Sequence, residues 1–161
     1  MIHRGPDPDF QAILEAPFGM VGVRTEGEVV SEIAYLPRSF ARGAPKDGLA
    51  ERACRQIERY LDDPDYRFRL PLKRVGTPFQ RSVWDAIAAI PRGRTRRYGE
   101  IAGELGSGPR PVGQACGANR FPLVIPCHRV VATTGLGGFA NRDSGYFLSI
   151  KRWLLAHEAA V

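Results

Sequence analysis

The stretch Tyr98-Gly99-Glu100-Ile101-Ala102-Gly103-Glu104-Leu105-Gly106-Ser107-Gly108-Pro109-Arg110-Pro111-Val112-Gly113-Gln114-Ala115-Cys116-Gly117-Ala118-Asn119 decides the fold. Ile101, Ala102 and Leu105 recur at helical spacing, which predicts a short helix over 98–105 with those side chains inward. Gly106-Ser107-Gly108-Pro109 reads as a tight turn. Pro111 suits the first position of a second helix that runs to Asn119. Two short helices across a glycine turn make a helix-turn-helix. Plain helical hairpins share the pattern, so the placement of charge matters. Arg92, Arg94, Arg96 and Arg97 precede the first helix and Arg110 stands at the opening of the second. Helix N-termini add partial positive charge there, which suits phosphate contact. The alternative is a solvated basic face.

Upstream, Thr77-Pro78-Phe79-Gln80 starts another helix. Thr77 can cap it, Pro78 fits the first turn and Gln80 completes a capping box. Phe79, Val83, Ile87 and Ile90 form its inner face with Trp84 alongside, and Pro91-Arg92-Gly93 ends it. The first part of the chain reads differently. Ala12-Ile13-Leu14, Met20-Val21-Gly22-Val23 and Glu28 to Tyr35 are three short strands separated by Pro17-Phe18-Gly19 and Glu26-Gly27, which predicts an antiparallel meander. Leu49, Ala53, Ile57 and Tyr60 mark an amphipathic helix, with Cys54 a packing residue beside the stripe. Asp62-Asp63-Pro64-Asp65 stops it, and Arg67-Phe68-Arg69-Leu70 alternates like a further strand. The expected architecture is α/β (α+β): an N-terminal antiparallel-sheet lobe over 1–74, then a mainly helical lobe over 75–161 with a winged helix-turn-helix-like element.

Charge supports the division. Residues 1–71 carry 10 Lys/Arg against 12 Asp/Glu, whereas residues 72–130 carry 10 against 3. A basic stripe attracts polyanions. The 161 residues are 43% hydrophobic, enough for a packed core. The longest apolar run falls far short of the ~18 residues of a membrane span. The N-terminus, Met1-Ile2-His3-Arg4-Gly5-Pro6, has no hydrophobic signal core. A soluble cytoplasmic protein is expected. Cys54, Cys116 and Cys127 are an odd, widely spaced set, which argues against a disulfide framework and fits a reducing compartment. With His3, His128 and His157 the only histidines, and no Cys-x-x-Cys spacing, neither a structural metal nor a cofactor is expected.

Downstream lies Ile125-Pro126-Cys127-His128-Arg129-Val130-Val131. Its apolar flanks place the cysteine in an interior or cleft. A thiol with the ordinary pKa of about 8.5 is a poor nucleophile near neutral pH, and a neighbouring base converts it to a thiolate. On the dipeptide alone, Cys127 could equally be a small buried hydrophobe.

Taken together, six segments in order resemble the O6-alkylguanine-DNA alkyltransferases. They are Gly76-Thr77-Pro78-Phe79-Gln80-Arg81-Ser82-Val83-Trp84, Ile90-Pro91-Arg92-Gly93-Arg94-Thr95, Tyr98-Gly99-Glu100-Ile101-Ala102, Gly117-Ala118-Asn119, Ile125-Pro126-Cys127-His128-Arg129-Val130, and Lys151-Arg152-Trp153-Leu154-Leu155-Ala156-His157-Glu158. The resemblance covers about residues 76–158, and 12–70 fit the family's variable N-terminal lobe in outline. It implies a suicide DNA-repair protein. Such a protein binds duplex DNA with its helix-turn-helix in the minor groove, extrudes an O6-alkylguanine and moves the alkyl group irreversibly to its own cysteine. In that pattern Cys127 is the acceptor, His128 the base acting through a bound water, and Glu158 the carboxylate that orients it. Asn119 ties the recognition-helix end to the active-site turn. Tyr98 promotes flipping and Arg110 fills the vacated stack; Arg96 and Arg97, from their charge just before the first helix, are expected to contact phosphate. Pro122, Val130 and Phe139 line the guanine pocket. Arg129 is read as structural and Cys116 as facing the pocket or core. A single chain acts on its own, with cooperative assembly along DNA left open.

Departures bear on specificity. Arg97 stands where the family commonly has a serine. The loop from Gly137 to Tyr146 is longer than usual before the Lys151 helix, and Phe139 lacks a hydroxyl. Two other readings use the same residues: a lesion sensor that binds without repairing, and a helix-turn-helix regulator with an inert thiol. The sensor reading conflicts with the presence of Cys127 and His128. The regulator reading requires sequence-specific binding to undamaged DNA.

Overall fold

Residues 10–36 fold as the alternation of apolar runs and turns dictates. The computed structural model describes residues 9–133, 135 and 145–159. β1 (Ala12–Ala16), β2 (Gly19–Glu26) and β3 (Val29–Leu36) form a three-stranded sheet in the order β1-β2-β3, antiparallel throughout. Phe10, Ile13, Met20 and Leu36 cluster in one core patch, and Val21 and Val23 are fully buried. Gly22 is required by packing: a Cβ there would lie 2.7 Å from the Phe10 ring. α1 (Gly48–Asp62) packs against the sheet through Ala50, Ala53, Ile57 and Tyr60. Its first turn is capped by Asp47, whose side chain accepts from the Ala50 N–H at 2.7 Å.

The alternating run at 67–70 is not a strand. Gln56 of α1 takes its backbone instead, donating to Arg69 O at 3.0 Å and accepting from Arg69 N at 2.8 Å. A side-chain amide that satisfies both backbone groups removes the need for a partner strand. The chain divides into two units, Met1–Arg74 and Val75–Val161.

In the second unit, α2 (Pro78–Ala88) begins with the full Thr77–Gln80 capping box. Val83, Trp84 and Ile87 are buried, and Trp84 Nε1 donates to Ala115 O at 2.8 Å, joining α2 to the α4 helix at Pro109–Gly117. α3 (Tyr98–Leu105) ends at Gly106 with φ +66, a left-handed cap suited to glycine. α4 thus spans 109–117 rather than 111–119. Both Pro109 and Pro111 fall in its first turn, where a missing N–H costs nothing, and Gly108 is the N-cap. The short strands β4 (Arg96–Arg97) and β5 (Val130–Val131) pair in parallel, a contact with no local sequence signal. Between α4 and β5 lies one 3-10 turn, Cys127–Arg129. α5 (Gly145–Ala159) closes the unit with Ile150 and Leu154 fully buried.

Candidate active site

Asn119 lies just past the end of α4, where helical hydrogen bonding stops, so its side chain can organise the turn that leads to Cys127. Asn119 Oδ1 accepts from Phe121 N at 2.9 Å, and Nδ2 donates to Ile125 O at 2.9 Å and to Cys127 Sγ at 3.1 Å. Leu123, within this turn, holds φ 77. A left-handed leucine stores backbone strain of about 1–3 kcal/mol, which persists only where the surroundings fix it. The turn thus sets the sulfur at one place. Cys127 is 6% exposed.

His128, on the same 3-10 turn, is buried, and its Nε2 lies 2.7 Å from Glu158 Oε2. Burial holds the His128 pKa below its ordinary value, outweighing the hydrogen bond and charge of Glu158, so the ring is neutral at pH 7. A carboxylate can only accept, so the neutral ring carries its proton on Nε2. The basic lone pair then sits on Nδ1, which is buried and has no hydrogen-bond partner among the described residues.

Glu158 comes from the last turn of α5, and besides His128 two arginines hold it. Arg129 Nε donates to Oε1 at 2.9 Å and Arg129 Nη2 to Oε2 at 2.9 Å, a two-pronged grip. Arg129 Nη1 donates to Ile90 O at 2.6 Å, tying the ion pair to the end of α2. Arg92 Nη1 donates to the Glu158 carbonyl at 3.0 Å and so secures the helix end. Arg129 is therefore structural in the sense expected, and its specific task is to fix the carboxylate.

One buried charged group near the sulfur escaped the sequence reading. Lys151 of α5 is fully buried, and its Nζ donates to Val130 O at 2.8 Å. Burial pulls its pKa down to about 8, partly offset by the Cys116 and Cys127 sulfurs nearby. The signal was available, since Lys151 and Glu158 share one helical stripe with Ile150 and Leu154. Cys116, read from the sequence as facing the pocket or core, is buried on the inner face of α4, and Cys127 Sγ donates to its carbonyl at 3.8 Å.

The remaining expected residues are dispersed around this centre. Tyr98 is half-buried at the start of α3, while Arg97 and Arg110 are exposed at the openings of α3 and α4. Arg96 is paired with Glu104 at 2.7 Å, so its charge is already partly engaged. Val130 is fully buried and Pro122 half-buried. Phe139 and most of the long loop lie outside the described residues. Among the described residues no cluster of three or more His, Cys, Asp or Glu could hold a metal ion, and no helix is long and apolar enough to cross a membrane.

Residues 78–160 match the family described as 6-O-methylguanine DNA methyltransferase, DNA binding domain. The chain belongs to this methyltransferase family. The methylated-DNA–protein-cysteine methyltransferase of Methanosarcina acetivorans is 35% identical over 159 residues, covering 94% of this chain and 99% of the relative. Regulatory protein ada of Salmonella typhimurium is 43% identical over 123 residues, 74% of this chain, which spans only 33% of that longer protein. A crystal structure of Mycobacterium tuberculosis OGT in complex with DNA aligns at TM-score 0.74 with 32% identity, covering 92% of this chain and 91% of that one. The methyltransferase fold therefore extends over both units, while the matched family domain lies in the second.

Proposed function

We propose that this methyltransferase binds duplex DNA, extrudes an O6-alkylguanine, chiefly O6-methylguanine, and transfers the alkyl group to Cys127 Sγ. The observation that carries the reading is the arrangement of Cys127, His128 and Glu158: a sulfur fixed by Asn119 beside a neutral imidazole whose Nε2–H is bound by a buried carboxylate. His128 Nδ1 takes the Cys127 proton through one water. The thiolate attacks the alkyl carbon, a C–S bond forms and the C–O6 bond breaks. The electron pair passes to the guanine, and Tyr98 offers the proton or hydrogen bond that the leaving base needs. A thioether is a poor leaving group, so each molecule acts once.

The lesion carbon lies inside the duplex, out of reach of a sulfur on a rigid turn, so the base must leave the stack. Unstacking costs a few kcal/mol, and an inserted side chain offsets part of this. Arg110 is the side chain that inserts; its exposure at the opening of α4 supports this role. Arg97, with Arg96 behind it, contacts backbone phosphate. Pro122 and the backbone around Val130 line the base pocket. Residues 75–161 carry this chemistry, and residues 1–74 form the accompanying lobe. The acceptor, base, carboxylate and tie all come from one chain, which supports action as a monomer. The free state of Cys54, Cys116 and Cys127 supports a cytoplasmic setting.

Incubation with an O6-methylguanine duplex, followed by intact and peptide mass measurement, is expected to add one methyl group on the Cys127 peptide. No addition refutes the transfer. For Arg110→Ala, transfer from duplex should fall by about tenfold, near the low end of what removing a stack-filling side chain costs. Transfer from free O6-alkylguanine should not change, because that substrate needs no extrusion. Equal losses on both substrates remove Arg110 from flipping.

A further inference from the structure

We propose that Glu104 is a counterion built into the DNA-binding element: it holds Arg96 in an ion pair, keeps that arginine from backbone phosphate, and so loosens the protein's grip on duplex DNA. The inference rests on the reading of α3 and α4 as the element that meets duplex DNA. To the residues that promote binding it adds one that limits it.

Acidic side chains are scarce in this part of the chain. Residues 72–130 carry 3 of them against 10 basic ones, namely Asp85, Glu100 and Glu104. Two of these stand on α3, four residues apart and so on one face of the helix. That face, made of Gly99, Glu100, Gly103 and Glu104, is exposed, while Ile101 and Ala102 are buried behind it. Each glutamate is tied to β4, the two-residue strand that leads into the helix. Glu100 Oε1 accepts from the Arg97 backbone N–H at 2.9 Å and closes the first turn. Glu104, one turn further on, meets the Arg96 side chain, whose Nη1 lies 2.7 Å from Oε2. Successive strand residues point to opposite sides. Arg96 therefore runs half-buried to Glu104, while Arg97 stands exposed.

A guanidinium at this distance from a carboxylate already has an anion. To reach phosphate, Arg96 must exchange one anion for another, so the contact adds little to affinity. A released Glu104 also stays on the exposed face of α3. Without that carboxylate, Arg96 is free to pair with phosphate and to displace the counterions held there. The pair is open to water, with Arg96 30% and Glu104 53% exposed. It contributes little to folding, so a substitution there leaves the fold standing. Phosphate contact carries no information on sequence. Glu104 thus weakens the hold on damaged and undamaged duplex alike, and leaves selection to base extrusion and to the Cys127 site.

The test is fluorescence anisotropy of the full chain on an undamaged duplex, between about 50 and 200 mM salt. Glu104→Gln is expected to bind about fivefold tighter near 0.15 M salt, the worth of one added phosphate contact, and to steepen the slope of log affinity against log salt by about 0.9. Glutamine suits an exposed helix position, so the variant should melt near the parent. The same change made in an Arg96→Gln background should alter neither affinity nor slope appreciably, because a lone exposed charge is largely screened at this salt. Glu104→Gln that binds no tighter than the parent overturns the proposal. So does a gain of equal size in the Arg96→Gln background, which would mean that Glu104 repels DNA through space and not by holding Arg96. A parent that binds no duplex at all refutes the DNA-binding reading itself. A parent that binds duplex and transfers methyl, with no gain in Glu104→Gln, leaves that reading standing and removes this one.

Discussion

Cys127→Ser is expected to gain no methyl group from an O6-methylguanine duplex, while its affinity for that duplex stays at the parent value. The substitution changes one atom. The serine oxygen can still accept from Asn119 Nδ2, which holds the sulfur at 3.1 Å, so the turn keeps its shape. What is lost is acidity and polarisability. A neutral imidazole can generate a thiolate from a thiol of ordinary pKa about 8.5, but it cannot generate an alkoxide to any useful extent. The proposed DNA contacts lie at the openings of α3 and α4, whereas the sulfur meets α4 only at the Cys116 carbonyl near its far end, so binding and transfer should separate completely. Gel-shift affinity and peptide mass on the same sample check both halves. A methyl group found on Cys116 in this variant would mean that the acceptor has been misassigned within the pair. A loss of binding would mean that the sulfur supports the DNA-binding surface and not only the chemistry.

The parts of this site that were legible in the sequence are those fixed by neighbours in the chain. The Thr77–Gln80 capping box, the glycine turn before α4 and the meander of β1–β3 each arise from a few adjacent residues. The Cys127–His128 pair is legible because the two groups adjoin, and Glu158 because it sits in a recognisable helix-end run. The illegible parts depend on where distant elements pack. Arg129 meets Glu158 across 29 residues, and β4 meets β5 across more than 30, with nothing local to announce either contact. Lys151 was missed for a subtler reason. It lies on an apolar helical stripe, where a single polar residue reads as packing. A buried lysine is costly unless its ammonium finds partners, so Lys151 on the stripe of Ile150, Leu154 and Glu158 was the stronger clue. Its partner, the Val130 carbonyl, is a backbone atom and leaves no mark in the side-chain sequence. The Arg67–Leu70 run erred in the opposite direction: a period-two pattern predicted a strand where a single glutamine side chain supplies the pairing.

Removing the carboxylate behind the base separates stability from chemistry. Glu158→Ala leaves Arg129 and His128 facing an empty place in a site where Glu158 is 1% exposed and Arg129 13%. Breaking a buried ion pair by deleting one partner costs about 3–5 kcal/mol. For a chain of this size that lowers the melting temperature by roughly 10 °C. Glu158→Gln should cost much less stability, because the amide fills the same space, yet it cannot serve all three donors. Arg129 directs N–H groups at both oxygens, and His128 directs Nε2–H at Oε2. If the amide oxygen takes the Oε2 place, its NH2 meets Arg129 Nε–H. If the oxygen takes the Oε1 place, the NH2 faces His128 Nε2 and drives the ring proton to Nδ1, which removes the lone pair that accepts the thiol proton. Transfer should then fall by about 10²–10⁴, the range of a lost general base. Thermal melts and single-turnover methyl transfer on the two variants check this. A Gln variant that melts near the parent but transfers slowly supports the base assignment. A Gln variant that melts near the parent and transfers at the parent rate means that the amide oxygen keeps the Oε2 place and the ring proton stays on Nε2, so that the hydrogen bond of Glu158 and not its charge serves the base.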